Sequence, residues 1–115
     1  MTAQILIVTT NEVTGHSVQV THGEVFGLTV RSRNMFSDMG ASFKGLVGGE
    51  VKGYTKMLQV SREEAVQRLR EEAASRGANA VLAMRFDCNE IMSNMTEIAA
   101  YGTAVTLVPD GSVPH

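Results

Sequence analysis

The segment EVKGYTKMLQVSREEAVQRLREEAASRG, Glu50–Gly77, decides the fold because it carries the longest regular pattern in the chain. Apolar and small residues recur in it every three or four positions, which is the spacing of one face of an α-helix. We predict one long helix from near Glu50 to Arg76, capped by Gly77, with this stripe against a sheet. The stripe comprises Tyr54, Met57, Leu58, Ser61, Ala65, Leu69 and Ala73.

Two details of this segment bear on whether the helix is continuous. Ser61 and Glu64 match a capping box, which would start a second helix at that point. The apolar stripe passes through Ser61 without a break, so we favour one helix with Ser61 inside it. Opposite charges spaced four residues apart add modest support; these pairs are Glu64 with Arg68 and Glu72 with Arg76.

Strand-like segments and a shorter helix precede the long helix. Ile5–Val8 is a short apolar run, and Ser17–Val30 alternates apolar with polar residues, as a half-exposed strand does. Gly23 interrupts the alternation, which indicates a bulge. Met35–Leu46 has apolar residues at helical spacing, and Gly48-Gly49 ends or bends that helix.

Two further strands follow the long helix. Ala80–Asp87 alternates in the same way, and Ile98–Val108 is strand-like with small residues at its centre. Asn89–Met95 is the predicted loop between them. The order of the elements is therefore β-β-α-α-β-β, which indicates the α+β class with one long helix and a shorter helix. Residues 1–108 form a single domain and residues 109–115 a flexible C-terminal tail.

Composition narrows the class of protein. The chain has 115 residues, 43% of them hydrophobic, with seven Met and no Trp, so the core is built from aliphatic side chains and association would enlarge it. A net charge of −2 gives no general attraction to nucleic acid or to an anionic membrane. One Cys excludes an internal disulfide and fits the reducing cytoplasm. No run approaches the ~20 apolar residues that span a bilayer.

Three segments together resemble the YbjQ-like family of bacterial proteins, which is named for heavy-metal binding but has no established function. They are VRSRNMFSDMGASFKGLVGGEVKGYT, GANAVLAMRFD and AAYGTAVTLV, at Val30–Thr55, Gly77–Asp87 and Ala99–Val108, and the opening Thr9–Gly27 also fits. The resemblance implies a small α+β fold in which an antiparallel sheet wraps on a long helix. It also implies a ring-shaped homo-oligomer, pentameric in the family, so that each chain is a ring-forming subunit.

Metal binding is one candidate function. Soft divalent ions take three or four Cys and His ligands in a compact cage. The chain offers Cys88, His16, His22 and His115, and none of them stands at ligand spacing from another. We therefore predict no complete tetrahedral cage in one subunit, although a symmetric ring would bring one ligand from each subunit to its axis. Cys88 is the weak metal candidate; the alternative is a small half-buried residue at a strand end.

The glycine-rich turn KGLVGGEVKG, Lys44–Gly53, is a second candidate. Backbone N–H groups at a glycine turn before a helix bind phosphate in many proteins. This turn matches neither standard phosphate-loop spacing, and Glu50 would repel an anion. We favour a bend between helices.

A charged cluster beside this turn is the strongest candidate. Arg31 and Arg33 share one face of a strand end, and Asn34 is placed to cap the next helix. One interpretation is a small anionic ligand held by both arginines. The favoured one is an intersubunit salt-bridge network. The ligand or interface cluster comprises Arg31, Arg33, Asn34, Asp38, Lys44, Glu50 and Tyr54.

The sequence thus predicts a homo-oligomeric ring with a binding or scaffold role for a small ligand, and the cofactor it admits is a divalent heavy-metal ion. The expected partner is the chain itself, with no nucleic acid and no membrane. The alternative is an enzyme with an intersubunit active site around Arg31, Arg33, Asp38 and Glu50. No catalytic residue is assigned, because no hydroxyl or thiol has a base at a recognised spacing.

Overall fold

Four β-strands and one long α-helix are present in residues 4–32, 52–91 and 95–112, the part of the chain that the computed structural model describes. The α+β class is confirmed, and so is a helix that runs unbroken past Ser61. The predicted shorter helix, Met35–Leu46, lies outside the described residues. The elements are β1 (Leu6–Ile7), β2 (His16–Ser32), α1 (Lys52–Ser75), β3 (Ala80–Ile91), β4 (Met95–Pro109) and one turn of 3-10 helix (Asp110–Ser112).

The strands form one sheet in the order β1-β3-β4-β2. β4 pairs antiparallel with both β2 and β3, which agrees with the antiparallel sheet that the family resemblance implies. β1 instead pairs parallel with β3, with Leu6 opposite Ala80, so the prediction of an antiparallel sheet is wrong for this strand. The reason is that the chain passes through β2 and α1 before it returns to β3, which then runs in the same direction as β1.

The hairpin of β3 and β4 is longer than the sequence predicts. Asn89–Met95 was expected to be a loop, but β3 continues through Ile91, which lies opposite Met95. The prediction fails because backbone pairing carries the ladder through polar residues such as Asn89, which lies opposite Glu97. The bulge predicted at Gly23 is confirmed by a register shift between Thr21 and Gly23 and by the φ of +106° at that glycine.

The C-terminus of α1 is closed by two hydrogen bonds that follow the Schellman pattern. The N–H of Gly77 donates to the carbonyl of Ala74 at 3.0 Å, and that of Ala78 donates to the carbonyl of Ala73 at 3.1 Å. Gly77 has a φ of +83°, a conformation that favours glycine, so the predicted cap is confirmed. No helix in the described part of the chain is both long and apolar enough to cross a membrane.

One face of the sheet is covered by α1, which packs on β2 and β4. The helix lies very close to the strand at Gly27, where an added Cβ would overlap the carbonyl oxygen of Ala65 and the backbone nitrogen of Leu69. The helix backbone therefore lies directly on β2. The covered core joins Val25 and Ile98 of the sheet to Ala65, Leu69 and Ala73 of the helix, all fully buried.

The predicted helix stripe is correct in its C-terminal part and wrong at Leu58. Ser61, Ala65, Leu69 and Ala73 are fully buried, but the Leu58 side chain is 43% exposed. The side chain of Tyr54 lies outside the description. Leu58 is open because α1 packs on β2 and β4, which leaves its β3 side with few neighbours.

The other face of the sheet is covered at one end only. There Val8 and Val13, from the segment around β1, pack on Ala80, Leu82 and Val105. Towards the opposite end, Phe26, Leu28 and Val30 of β2 remain exposed at 48%, 44% and 47%. The ring of Tyr101 joins them, with its centroid 6.1 Å from that of Phe26. We call these four residues, Phe26, Leu28, Val30 and Tyr101, the open face.

Candidate functional site

Charged side chains bind the end of β2 to α1. Arg31 donates from Nη2 to Oε2 of Glu64, whose Oε1 accepts a hydrogen bond from Nη2 of Arg68 at 2.6 Å. Arg68 also donates from Nη1 to the carbonyl of Leu28. The side chains of Arg31 and Glu64 are only 21% and 32% exposed. Glu64 is therefore shared by two arginines and links helix to strand.

Arg31 is the one member of the predicted ligand or interface cluster whose side chain the structure describes. Arg31 contacts Glu64 of its own chain, a partner that the sequence argument had assigned to Arg68 alone. The Glu64–Arg68 pair is confirmed, as is the Glu72–Arg76 pair at 3.1 Å. The remaining members of the cluster lie outside the described side chains; they are Arg33, Asn34, Asp38, Lys44, Glu50 and Tyr54. The same holds for most of the glycine-rich turn.

Three buried polar atoms near this cluster have no hydrogen-bond partner among the described residues. They are Oγ1 of Thr29, Oγ of Ser61 and Nε of Arg31. Thr29 lies on β2 between Gly27, which touches Ala65 and Leu69, and Arg31, which binds Glu64. All three atoms can donate, so this end of the helix–sheet contact has spare donor capacity.

A groove of about 530 Å³ runs between α1 and β3 on the helix side of the sheet. Phe86 of β3 lies in it, and the guanidinium carbon of Arg62 sits 5.1 Å from the centre of its ring. Val66 and Phe86 also pack against the covered core, which makes the groove continuous with the hydrophobic interior. Its lining comprises Thr55, Leu58, Gln59, Arg62, Glu63, Val66, Arg70 and Phe86.

Sequence reasoning missed this groove entirely. The available signal was the spacing of Arg62, Val66 and Arg70, which are four residues apart and so share one face of a helix. Nothing in the sequence indicated that Phe86, on a strand beyond the helix, would lie beside it.

The metal candidates do not come together in the described residues. Those residues contain no group of three or more His, Cys, Asp or Glu side chains placed to hold a metal ion. Cys88 lies within β3 and is exposed, so its prediction as a half-buried residue at a strand end is wrong, because β3 continues beyond it. Cys88 lies opposite Ile98 of β4, and Ile98 lies opposite Thr29 of β2. Thr29 is seven residues from His22 along β2, so Cys88 and His22 are separated by ~23 Å in the strand direction.

Both histidines in the described segments have hydrogen-bond partners. His22 Nε2 lies 2.7 Å from the hydroxyl of Thr106. His16 Nδ1 lies 3.2 Å from the carbonyl of Thr14, near the start of β2. His115 lies outside the described residues. The described donors of one subunit therefore do not fit a soft metal ion.

Similar proteins carry names that report a family but no activity. A UPF0145 protein, YjfJ, from Lactococcus lactis is 55% identical over 104 residues, covering 90% of this chain and 95% of the relative. A UPF0145 protein from Streptomyces coelicolor is 56% identical over 103 residues, covering 90% of this chain and 97% of the relative. One from Acidothermus cellulolyticus is 58% identical over 100 residues, covering 87% and 93%.

One solved structure shares the fold, and one family model matches most of the chain. The crystal structure of a DUF74-family protein of unknown function from Pediococcus pentosaceus matches with a TM-score of 0.60 over 90% of this chain and 98% of that one. Its 14% identity limits that likeness to the fold. The YbjQ family model, described as "putative heavy-metal-binding", matches residues 5–108. The chain therefore belongs to the YbjQ-like family of UPF0145 proteins.

Proposed function

We propose that this protein is a homo-oligomeric binding or scaffold protein whose subunits associate through the open face. The observation that carries the proposal is the exposure of Phe26, Leu28 and Val30, which follow one another on the same side of β2 at 44–48%. Neighbouring large apolar side chains left in water mark an interaction surface more often than single ones do.

A second copy of the same chain is the occupant that we favour. The far side of the sheet is closed by the chain's own Val8 and Val13 at one end and left open at the other, so one surface is unfinished. β2 is also an edge strand of the described sheet, which adds unpaired backbone groups beside the apolar side chains. The family resemblance implies a ring, and closed rings of one chain are a common way to cover such a surface.

The ligand of this assembly is the second part of the proposal. A heavy-metal ion, the ligand that the family description suggests, would need donors from more than one subunit, because the described donors of a single subunit are too far apart. Cys88 is exposed and would supply the soft donor. Zinc titration of the wild type and of Cys88→Ser by calorimetry tests this directly. Binding that is unchanged in Cys88→Ser would remove the thiol from the proposal.

Assembly is tested by sedimentation velocity at micromolar concentration with two matched variants. Leu28→Asp places a charge on the open face, and Val60→Asp places the same charge at an equally exposed residue of α1, 45% against 44%. We expect a multimer for the wild type and for Val60→Asp, and a smaller species for Leu28→Asp. A wild type that sediments as a monomer would overturn the proposal.

A further inference from the structure

We propose that the groove between α1 and β3 binds an organic anion that carries a flat apolar body. This inference names the chemistry of the small ligand and rests on the ligand-binding part of the proposed function. It does not depend on assembly through the open face, because the groove lies on the helix side of the sheet. The apolar side chains of the groove, its two arginines and its volume support this ligand class.

The apolar component comes from Leu58, Val66 and Phe86. Val66 and Phe86 are half-buried and pack against the covered core, while Leu58 stands 43% exposed at the rim. These side chains form an apolar surface, and removing that surface from water is favourable in free energy. A planar apolar group would displace that water and contact an aromatic ring.

The electrostatic component comes from two arginines that have no ion-pair partner in the described segments. Arg62 is held over Phe86 at 5.1 Å by a cation–π contact, which positions its guanidinium without using a carboxylate. Arg70 is half-buried and lines the same groove. Glu63 is the single acidic residue among those that line the groove, so the lining carries an excess of positive charge. A carboxylate or phosphate would satisfy it with charge-assisted hydrogen bonds.

The size of the groove matches a small organic molecule. Its volume of about 530 Å³ falls inside the range of roughly 300–1,000 Å³ that ligand sites occupy. A bare inorganic anion would leave the apolar part of the groove wet. A neutral apolar molecule would leave the excess positive charge of the lining unbalanced. The combination selects a ligand with both properties.

Three probes separate these contributions in the full-length protein. The probe 2-naphthoate has the flat body and the charge, 2-naphthamide has the body alone, and acetate has the charge alone. We expect calorimetry to show 2-naphthoate binding about tenfold or more tightly than either control, the effect of one charge-assisted hydrogen bond. Equal binding of 2-naphthoate and 2-naphthamide, or no binding of either, would overturn the inference.

Methyl NMR locates the probe even in a large assembly. Binding in the groove shifts the methyl signals of Leu58 and Val66 and leaves those of Leu28 and Val30 unchanged. Shifts confined to Leu28 and Val30 would place the probe on the open face and overturn the inference.

Variants of matched charge complete the test. Arg70→Gln and Arg62→Gln should each weaken 2-naphthoate binding about tenfold. Arg76→Gln removes an arginine from the same helix, where it pairs with Glu72 outside the groove, and should leave binding unchanged. Sedimentation of the same samples separates the two proposals. Intact assembly without 2-naphthoate binding refutes the groove alone, and groove binding by a monomer refutes the assembly alone.

Discussion

The two faces of β2 differ in a way that hydrophobicity does not predict. The face under the helix presents Val25, Gly27 and Thr29, and the open face presents Phe26, Leu28 and Val30. The bulkier apolar residues are therefore on the side that a single chain leaves exposed. Close approach of the helix backbone requires small residues beneath it, as at Gly27. Steric fit, rather than apolar surface alone, thus decides which face the helix covers.

The largest test of this comparison uses two leucines of one helix. Leu69 is fully buried on the covered side, and Leu58 is 43% exposed on the β3 side. Leu69→Ala should lower the free energy of unfolding by ~2–5 kcal/mol, because it leaves a cavity in the core. Leu58→Ala should lower it by less than ~1 kcal/mol. Denaturant unfolding at one fixed protein concentration measures both. Equal losses would show that the helix presents a different face to the sheet.

Gly27→Ala tests the close contact itself. The added methyl group would overlap the backbone of Ala65 and Leu69, so the helix must move away from β2. We expect a loss of ~1–3 kcal/mol, as for other overpacked cores, measured by thermal or denaturant unfolding. Gly111→Ala is the control, because nothing lies within 4 Å of its added Cβ. A neutral Gly27→Ala would mean that the helix does not rest on this strand.

The smallest expected effect concerns the ion pairs at the edge of the covered face. Glu64→Gln removes the shared partner of Arg31 and Arg68, and we expect a loss of about 1 kcal/mol that shrinks as salt is added. Glu72→Gln removes one exposed pair, with side chains 41% and 44% exposed, and should cost less than ~0.5 kcal/mol. Unfolding curves at low and high salt measure the difference. A larger loss of stability for Glu72→Gln than for Glu64→Gln would contradict the prediction that the ion pairs of Glu64 are the more stabilising ones.

The sequence predicted the features that depend on local pattern. The period of α1, the cap at Gly77 and the bulge at Gly23 follow from residues close together in the chain. The direction of β1 did not follow, because a strand of two residues carries no signal of its pairing. The exposure of Leu58 could not be predicted either, since helical periodicity shows which residues share a face but not which of them contact the sheet.

The candidate site was predictable only in part, for a similar reason. Arg31 was singled out from its own segment, yet its partner Glu64 is 33 positions further along the chain. The groove joins Arg62 to Phe86, which belong to different elements. Contacts between distant segments depend on how the helix crosses the sheet, and that crossing depends on Gly27. The sequence shows a glycine at position 27 but does not show that the backbone of α1 packs against it.

The position of β4 has a consequence for how the protein is made. β4 lies between β3 and β2 in the sheet, although it follows both of them in the chain. On the ribosome, β2 and β3 are synthesised before the strand that joins them exists. Pairing over such a sequence separation is slow, and during that delay β2 has no partner at either edge and presents Phe26, Leu28 and Val30 to other nascent chains. The described sheet therefore cannot be completed until β4 has been synthesised, and a chain that stops before Met95 contains β1, β2 and β3 but not the strand that joins β3 to β2.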